Sequence, residues 1–311
     1  MKVIPIVFTF DKTLEMPAGV CITSLLENAN EETFYDIYVL HGPQCDFSNS
    51  FLYNLPQVYG NCKLTFRKVV GEFVGGYEIR GIPETAYYRL VSPEQIPEYN
   101  KFLYSDVDVI FREDLGSYYS IDIKDNYFGA VETCSALRPD DQKFMAEKFR
   151  YDHKDGYYYS GNLVVNANKL IEDEKLQEFR VLGKNNYNQQ DMMIINLACK
   201  GRITSMTPAY CMTTVLYSLI VNRRKEMEAI YGTQEIEHTL KSGIVHYDGA
   251  KPWNKICPNM DIWWYYYRKS IFFDEKFTHD FWTGQRDSLI RMSLKKRIKQ
   301  LLRYPLDRKS K

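Results

Sequence analysis

The chain lacks net charge: 40 Lys and Arg are matched by 40 Asp and Glu, for a formal charge of +0. With no bulk field to attract polyanions, no nucleic-acid partner is expected. Paired cysteines are also missing. Cys21, Cys45, Cys62, Cys134, Cys199, Cys211 and Cys257 are scattered, odd in number and form no C-x-x-C. That pattern argues against a zinc ribbon or a disulfide framework and fits a reducing compartment. No apolar run approaches the roughly 18 residues of a membrane span. There is no internal repeat and no low-complexity linker. Met1-Lys2-Val3-Ile4-Pro5 runs straight into a strand-like segment without a signal-peptide pattern, so a cytoplasmic location is expected.

What is present describes a folded protein. Its 311 residues are 45% hydrophobic and 26% charged, enough for one large α/β domain or one domain with an appendage. Aromatics reach 15%, with 25 tyrosines; such rings serve a core or stack on sugars and bases.

The informative stretch is Lys101-Phe102-Leu103-Tyr104-Ser105-Asp106-Val107-Asp108-Val109-Ile110-Phe111. Its apolar, β-branched character reads as a buried strand of a parallel sheet. Desolvating a carboxylate costs far more than a neighbouring Val recovers, so Asp106 and Asp108 must leave the packed region at the strand's end. Ligands of open α/β sheets sit at such carboxyl ends. Two carboxylates at i and i+2 suit a hard divalent cation whose remaining positions phosphate oxygens complete. A strand ending in an acidic turn is the alternative, and this stretch by itself does not choose between them.

Around it, strands and helices alternate. Val3–Phe10, Tyr35–Leu40 and Leu64–Val69 read as strands; helices are expected from Pro17 through Asn28 and over Asn49–Tyr59. The alternation predicts a parallel, doubly wound sheet. Gly71–Gly81 reads as a mobile loop, and Pro83–Leu90 as a helix carrying Tyr87, Tyr88 and Arg89. Further on, Tyr127–Val131 is a short strand, and Tyr157–Asn166 turns at Ser160-Gly161 before continuing as one. Lys169–Leu182 and Met192–Ala198 are helical, with Asn188-Gln189-Gln190-Asp191 as capping groups for the second, and Gly243–Tyr247 is a last strand. Beyond Ser288 the composition turns basic. Ile290, Leu294, Ile298, Leu301 and Leu302 recur at helical spacing among Arg291, Lys295, Lys296, Arg297, Lys299, Arg303, Arg308, Lys309 and Lys311. Such a helix suits peripheral contact with an anionic membrane surface, here the inner face of the plasma membrane; the alternative is a stripe packed on the domain with a solvated basic face.

The set Phe8-Thr9-Phe10-Asp11, Tyr104-Ser105-Asp106-Val107-Asp108, Ser160-Gly161, Gln189-Gln190-Asp191 and His246-Tyr247-Asp248-Gly249-Ala250-Lys251-Pro252-Trp253 resembles the family 8 glycosyltransferases, which include bacterial lipopolysaccharide galactosyl- and glucosyltransferases and the glycogenins. The resemblance runs in order from about Val3 to Trp253. It implies a glycosyltransferase-A type, Rossmann-like α/β fold with a mostly parallel central sheet, as a catalytic domain over residues 1–255. A helical, basic amphipathic extension would follow over 256–311. It further implies hexosyl transfer, with retention, from a UDP-sugar (galactose or glucose) to a saccharide or lipid-linked saccharide acceptor in surface-glycan synthesis. The cofactor implied is Mn2+, with Mg2+ as the alternative.

Residue by residue, the resemblance makes Asp106, Asp108 and His246 metal ligands, a Lewis-acid site for a leaving diphosphate. His246 alone would more often be a satisfied core histidine. Gly249 would admit the diphosphate to the backbone and Lys251 would supply a cation, although relatives commonly have one more residue between these two. Thr9, Asp11, Arg89, Val107, Ser160 and Gly161 would complete the donor site, with helix capping the competing role for Asp11. Gln189, Gln190 and Asp191 would face the sugar, and the resemblance implies Gln190, Asp191, Asp106 and Asp108 as the catalytic residues. Relatives often carry Asp-Gln-Asp there, Asn in place of Tyr159, and an Asp near Thr133. Gln190 falls near the reacting carbon, yet an amide is a poor nucleophile, so front-face substitution is the implied route. Two other readings remain: a nucleotidyltransferase, against which the absence of a Gly-rich loop at Asp11-Lys12-Thr13-Leu14 counts, and a catalytically weakened relative that binds nucleotide-sugar or glycan.

Overall fold

The computed structural model describes residues 1–78 and 84–303. The Pro83 start of one expected helix, the Gly81 end of the expected loop, and Arg308, Lys309 and Lys311 of the basic tail lie outside the described residues, as do the side chains of Leu301, Leu302 and Arg303. The strands are β1 (Lys2–Thr9), β2 (Thr33–His41), β3 (Cys62–Lys68), β4 (Lys101–Ser105), β5 (Val109–Ile110), β6 (Phe128–Val131), β7 (Asn162–Asn166), β8 (Ile203–Met206), β9 (Met212–Thr213) and β10 (Val245–His246).

Seven of them form a sheet in the order β3-β2-β1-β4-β7-β6-β8. All run parallel except β7, which is antiparallel to both β4 and β6. The expectation of an all-parallel doubly wound sheet is corrected at this one strand. Alternate side chains explain why the sheet is buried on both faces. Ile4, Ile6 and Phe8 of β1 enter one apolar cluster with Ile37 and Leu103, while Val7 enters the opposite one with Tyr38, Phe102 and Tyr104.

The strand expected over 101–111 is broken. β4 stops at Ser105, Asp106-Val107-Asp108 crosses an open turn, and β5 joins a separate three-stranded sheet, β5-β10-β9. The two carboxylates cause the break, since neither could be desolvated inside a ladder at acceptable cost. Several expected helices also differ. Glu84–Leu90 is a 3-10 turn, Lys169–Leu182 divides into Ala167–Glu172 and Lys175–Leu182, and the basic segment breaks between Glu275–Arg291 and Leu294–Arg303. Gln189 is the N-cap residue of the Gln190–Ala198 helix, but it makes no side-chain capping bond. The described part of the 71–78 loop is anchored. Phe73 stacks on Tyr87 with centroids 5.2 Å apart, and Glu72 pairs with Arg180 at 2.7 Å.

Beyond residue 256, the helix Met260–Lys269 buries Trp263, Trp264 and Tyr267 in the same cluster as β1 and β2. Trp263 stacks on Tyr267 at 5.1 Å, and Trp264 Nε1 donates to the Pro252 carbonyl at 3.1 Å. Removing a buried ring of this size leaves a large cavity and costs about 3–5 kcal/mol. Trp264→Ala is therefore expected to lower the urea midpoint of the whole chain in one transition, with circular dichroism and tyrosine fluorescence coinciding. A separate early transition would mark this helix as an independent appendage.

Candidate active site

Asp106 follows β4 directly, and its N–H donates to the Gly161 carbonyl at 2.8 Å, continuing the β4–β7 ladder by one rung. Because β7 runs in reverse, its first residues, not its last, lie beside the end of β4. Ser160-Gly161 is thereby brought next to the two carboxylates. The antiparallel pairing of β5 with β10 sets His246 opposite Val109, beside Asp108.

Ligand atoms of Asp106, Asp108 and His246 all lie within 4.8 Å of one another. His246 Nε2 is 3.2 Å from Asp108 Oδ1 and 3.7 Å from Asp106 Oδ2. Lys251 Nζ bonds Asp108 Oδ2 and also donates to the Tyr247 carbonyl at 2.6 Å. Burial pulls the pKa of His246 down, but Asp108 outweighs it and the ring sits well above its ordinary value. Burial likewise opposes Lys251, and Asp108 again carries it upward. Asp108 is driven the other way: burial would raise it, yet Lys251 and His246 hold it well below the carboxylate range. His246 and Lys251 thus both lie against Asp108 at the place a cation would occupy.

The residues fit such an ion by an independent measure. A Cβ built on Gly161 would meet His246 Cε1 at 2.2 Å and Asp106 Oδ2 at 2.8 Å, so only a bare backbone allows the imidazole and carboxylate to face each other. Two carboxylates and one imidazole form a hard-to-borderline donor set suited to Mn2+ or Mg2+.

A second charge cluster adjoins the first. Arg89, buried on its 3-10 turn, places Nη2 2.8 Å from Asp106 Oδ1 and Nε 3.2 Å from Asp191 Oδ2. Its Nη1 donates to the Ser160 carbonyl at 2.7 Å, and its guanidinium lies 4.5 Å from the centroid of the Tyr104 ring. Burial disfavours the charge, but Asp106 and Asp191 outweigh it and raise the pKa. Asp191 itself is pushed up, first by burial and then by Asp106, against the pull of Arg89. It accepts from Ser160 Oγ at 2.7 Å. Asp191 is thus bound into this cluster through its side chain, beyond the capping role its position suggested.

Thr9, Arg89, Asp106, Val107, Asp108, Ser160, Gly161, Gln189, Gln190, Asp191, His246 and Lys251 all line one cleft of about 620 Å³. Two expected residues behave differently. Asp11 accepts from the Thr13 N–H at 2.8 Å and caps the turn Lys12–Leu14, which is the competing role. At Gly249 an added Cβ would meet nothing nearer than Thr214 Oγ1 at 3.9 Å, so the protein's own packing does not demand glycine there. Gln190 adopts a positive φ of 40°, and its Nε2 donates to the Tyr77 carbonyl at 2.8 Å. Gln189 accepts from the Tyr157 hydroxyl.

Sequence reasoning missed Tyr104 and Cys211. The Tyr104 hydroxyl donates to Asp106 Oδ1 at 2.8 Å and lies 2.9 Å from Thr9 Oγ1, from which it accepts. Its place two residues before Asp106 on an alternating strand was the available signal. Cys211 lies against His246 and Ser135 and Arg138 line the cleft without any motif, whereas Thr133, also on the cleft wall, falls near the position where relatives carry an Asp.

The sequence profile described as Glycosyl transferase family 8 matches residues 5–257. A putative glycosyltransferase of Haemophilus influenzae is 25% identical over 269 residues, 82% of this chain and 74% of the relative. The lipopolysaccharide 1,2-glucosyltransferase of Escherichia coli is 21% identical over 260 residues, 78% of this chain and 71% of that one. Among solved structures, the galactosyltransferase LgtC in complex with donor and acceptor sugar analogs superposes with a TM-score of 0.71 at 22% identity, over 89% of this chain and 99% of its own. The fold is of the glycosyltransferase-A type.

Gly161→Ala is expected to weaken divalent-cation binding on the order of tenfold or more by forcing His246 and Asp106 apart, with the circular dichroism spectrum unchanged. Titration of Mn2+ followed by electron paramagnetic resonance measures it, and unaltered affinity would refute the placement of the ion between these groups.

Proposed function

Since the chain belongs to glycosyl transferase family 8, we propose that it is a metal-dependent, retaining hexosyltransferase. Its donor is a UDP-sugar, galactose or glucose, and its acceptor a saccharide or lipid-linked saccharide of bacterial surface-glycan or lipopolysaccharide synthesis. The observation that carries this reading is the Asp106–Asp108–His246 constellation, with ligand atoms within 4.8 Å of one another, opening on a cleft of about 620 Å³. That volume lies in the range of small-molecule sites.

A divalent cation held by Asp106, Asp108 and His246 would neutralise the charge that develops on the leaving diphosphate. The remaining work falls to this chain's own groups. Lys251, now bound to Asp108, is placed to turn its ammonium toward phosphate oxygens. Arg89 fixes Asp106 and Asp191 at once, so both carboxylates meet the donor in set positions. Gln190 offers an amide on the cleft wall, suited to a polar contact with the reacting sugar and unsuited to covalent attack. This supports front-face substitution, with the acceptor entering on the side the diphosphate leaves.

One observation favours the weakened-binder reading. Gln189 already accepts from Tyr157, so one of the two lone pairs on its only acceptor oxygen is taken and a sugar hydroxyl finds less there than a carboxylate would offer. The intact metal constellation favours turnover. Each common UDP-sugar in turn, with Mn2+ and release of UDP as readout, decides. One donor should give slow Mn2+-dependent release, reduced by roughly 10²-fold or more in Asp108→Asn. Binding of UDP by calorimetry with no release, even with candidate acceptors present, would establish the binder instead.

We also propose peripheral membrane contact through the end of the chain. Among the described residues no helix is long and apolar enough to cross a membrane. Ile290, Leu294 and Ile298 are exposed, beside Lys295, Lys296 and Lys299, which suits an anionic lipid surface. The full chain should sediment with phosphatidylglycerol vesicles and a chain ending at Asp287 should not. Equal pelleting would overturn this.

A further inference from the structure

His246 turns one ring nitrogen, Nε2, toward the two carboxylates. Its other nitrogen meets a row of buried polar groups for which the reaction described above has no use. Cys211 Sγ lies 3.4 Å from His246 Nδ1. Asn162 Nδ2 donates to the same sulfur over 3.5 Å, and Asn162 Oδ1 accepts from Ser105 Oγ at 2.8 Å. Ser105, Asn162 and Cys211 are each at most 1% exposed. Two members of the row are tied to the site along the chain, because Ser105 immediately precedes Asp106 and Asn162 immediately follows Gly161.

Chain topology makes the contact. Cys211 precedes β9, whose Met212 and Thr213 pair in parallel with Val245 and His246 of β10. The sulfur is therefore delivered to the imidazole by the small sheet that also carries β5 away from Asp108.

An imidazole can offer the Nε2 lone pair to a cation only when the ring is neutral and its proton rests on Nδ1. In a buried site that N–H needs an acceptor, or its desolvation is uncompensated. Histidine ligands usually find a carboxylate, a carbonyl or water for this purpose. A carboxylate here would add a third negative charge beside Asp106 and Asp108. A sulfur accepts weakly without adding charge and packs like an apolar group. The Asn162 amide N–H, which can only donate, occupies one lone pair of the sulfur from the other side, and the Ser105 hydroxyl, set between Asn162 Oδ1 and the Asp106 carbonyl, orients the amide.

We infer that Cys211 is a positioning residue for the divalent-cation site, holding His246 in the tautomer and ring orientation that present Nε2 to the ion. The inference rests on the metal-dependent reading of that site. It does not concern the sugar, the nucleotide or the acceptor.

The test uses the full chain and Mn2+ alone, titrated by electron paramagnetic resonance, with thermal melting of the metal-free protein alongside. Cys211→Val keeps the bulk and removes the acceptor; Cys211→Ser keeps an acceptor in a smaller group. The expected result is Mn2+ affinity reduced roughly 10- to 100-fold in Cys211→Val and within a few-fold of the parent in Cys211→Ser. Those affinities would not follow the order of melting temperatures. A residue that merely fills the core would give the reverse, with Mn2+ affinity kept in Cys211→Val. Retained affinity in that variant, or equal loss in both, overturns the inference. Failure of the unaltered chain to bind Mn2+ would overturn the metal reading beneath it.

Discussion

Two carboxylates held side by side at the edge of a buried sheet repel each other, and the site is built around that repulsion. Each is given its own cation: Arg89 for Asp106 and Lys251 for Asp108, with the His246 ring between them. Arg89 also serves Asp191, so a single guanidinium joins the 3-10 turn of residues 84–90, the end of β4 and the helix that starts at Gln190. Removing one member of such a buried group leaves its partner charged and unpaired, which costs more than the pair contributes. The same arithmetic explains the break after Ser105. A ladder that continued through Asp106 and Asp108 would have to desolvate both.

The reversal of β7 gives this constraint its geometry. In a purely parallel sheet the neighbour of β4 would also contribute a strand end. Here it contributes a strand beginning, and with it a glycine whose missing side chain is the space in which His246 and Asp106 approach. The three-stranded sheet then supplies His246 and, one strand further out, the sulfur behind it. The candidate metal ligands and the groups packed behind them come from four regions of sequence that only the two sheets together make adjacent.

The legible part of this protein was the part written in local pattern. β1, β2 and β3 appear where β-branched runs predict them, to within a few residues, and Asp106, Asp108 and His246 converge as their motifs imply. The parts that escaped depend on partners distant in sequence. The reversal of β7 has no signature within Asn162–Asn166, which reads the same in either direction. The fate of Asp11 depended on whether Thr13 would take its oxygen, and it does. Cys211 resembled any other scattered thiol. Its place emerges only once β9 is laid against β10, and strands of two residues are too short to announce themselves.

The contacts that close the site are also among the most distant along the chain; Lys251 and Asp108 are 143 residues apart. Contacts of that span are entropically late, because the long loop between them must be ordered before they are rewarded. A nascent or partly folded chain can thus present β1 to β4 and both aspartates while offering an ion no third ligand. Uptake of the ion would then mark the final stage of folding rather than guide its beginning. During synthesis the grouping of Asp106, Asp108 and His246 stays incomplete until the segment that carries His246 has left the ribosome.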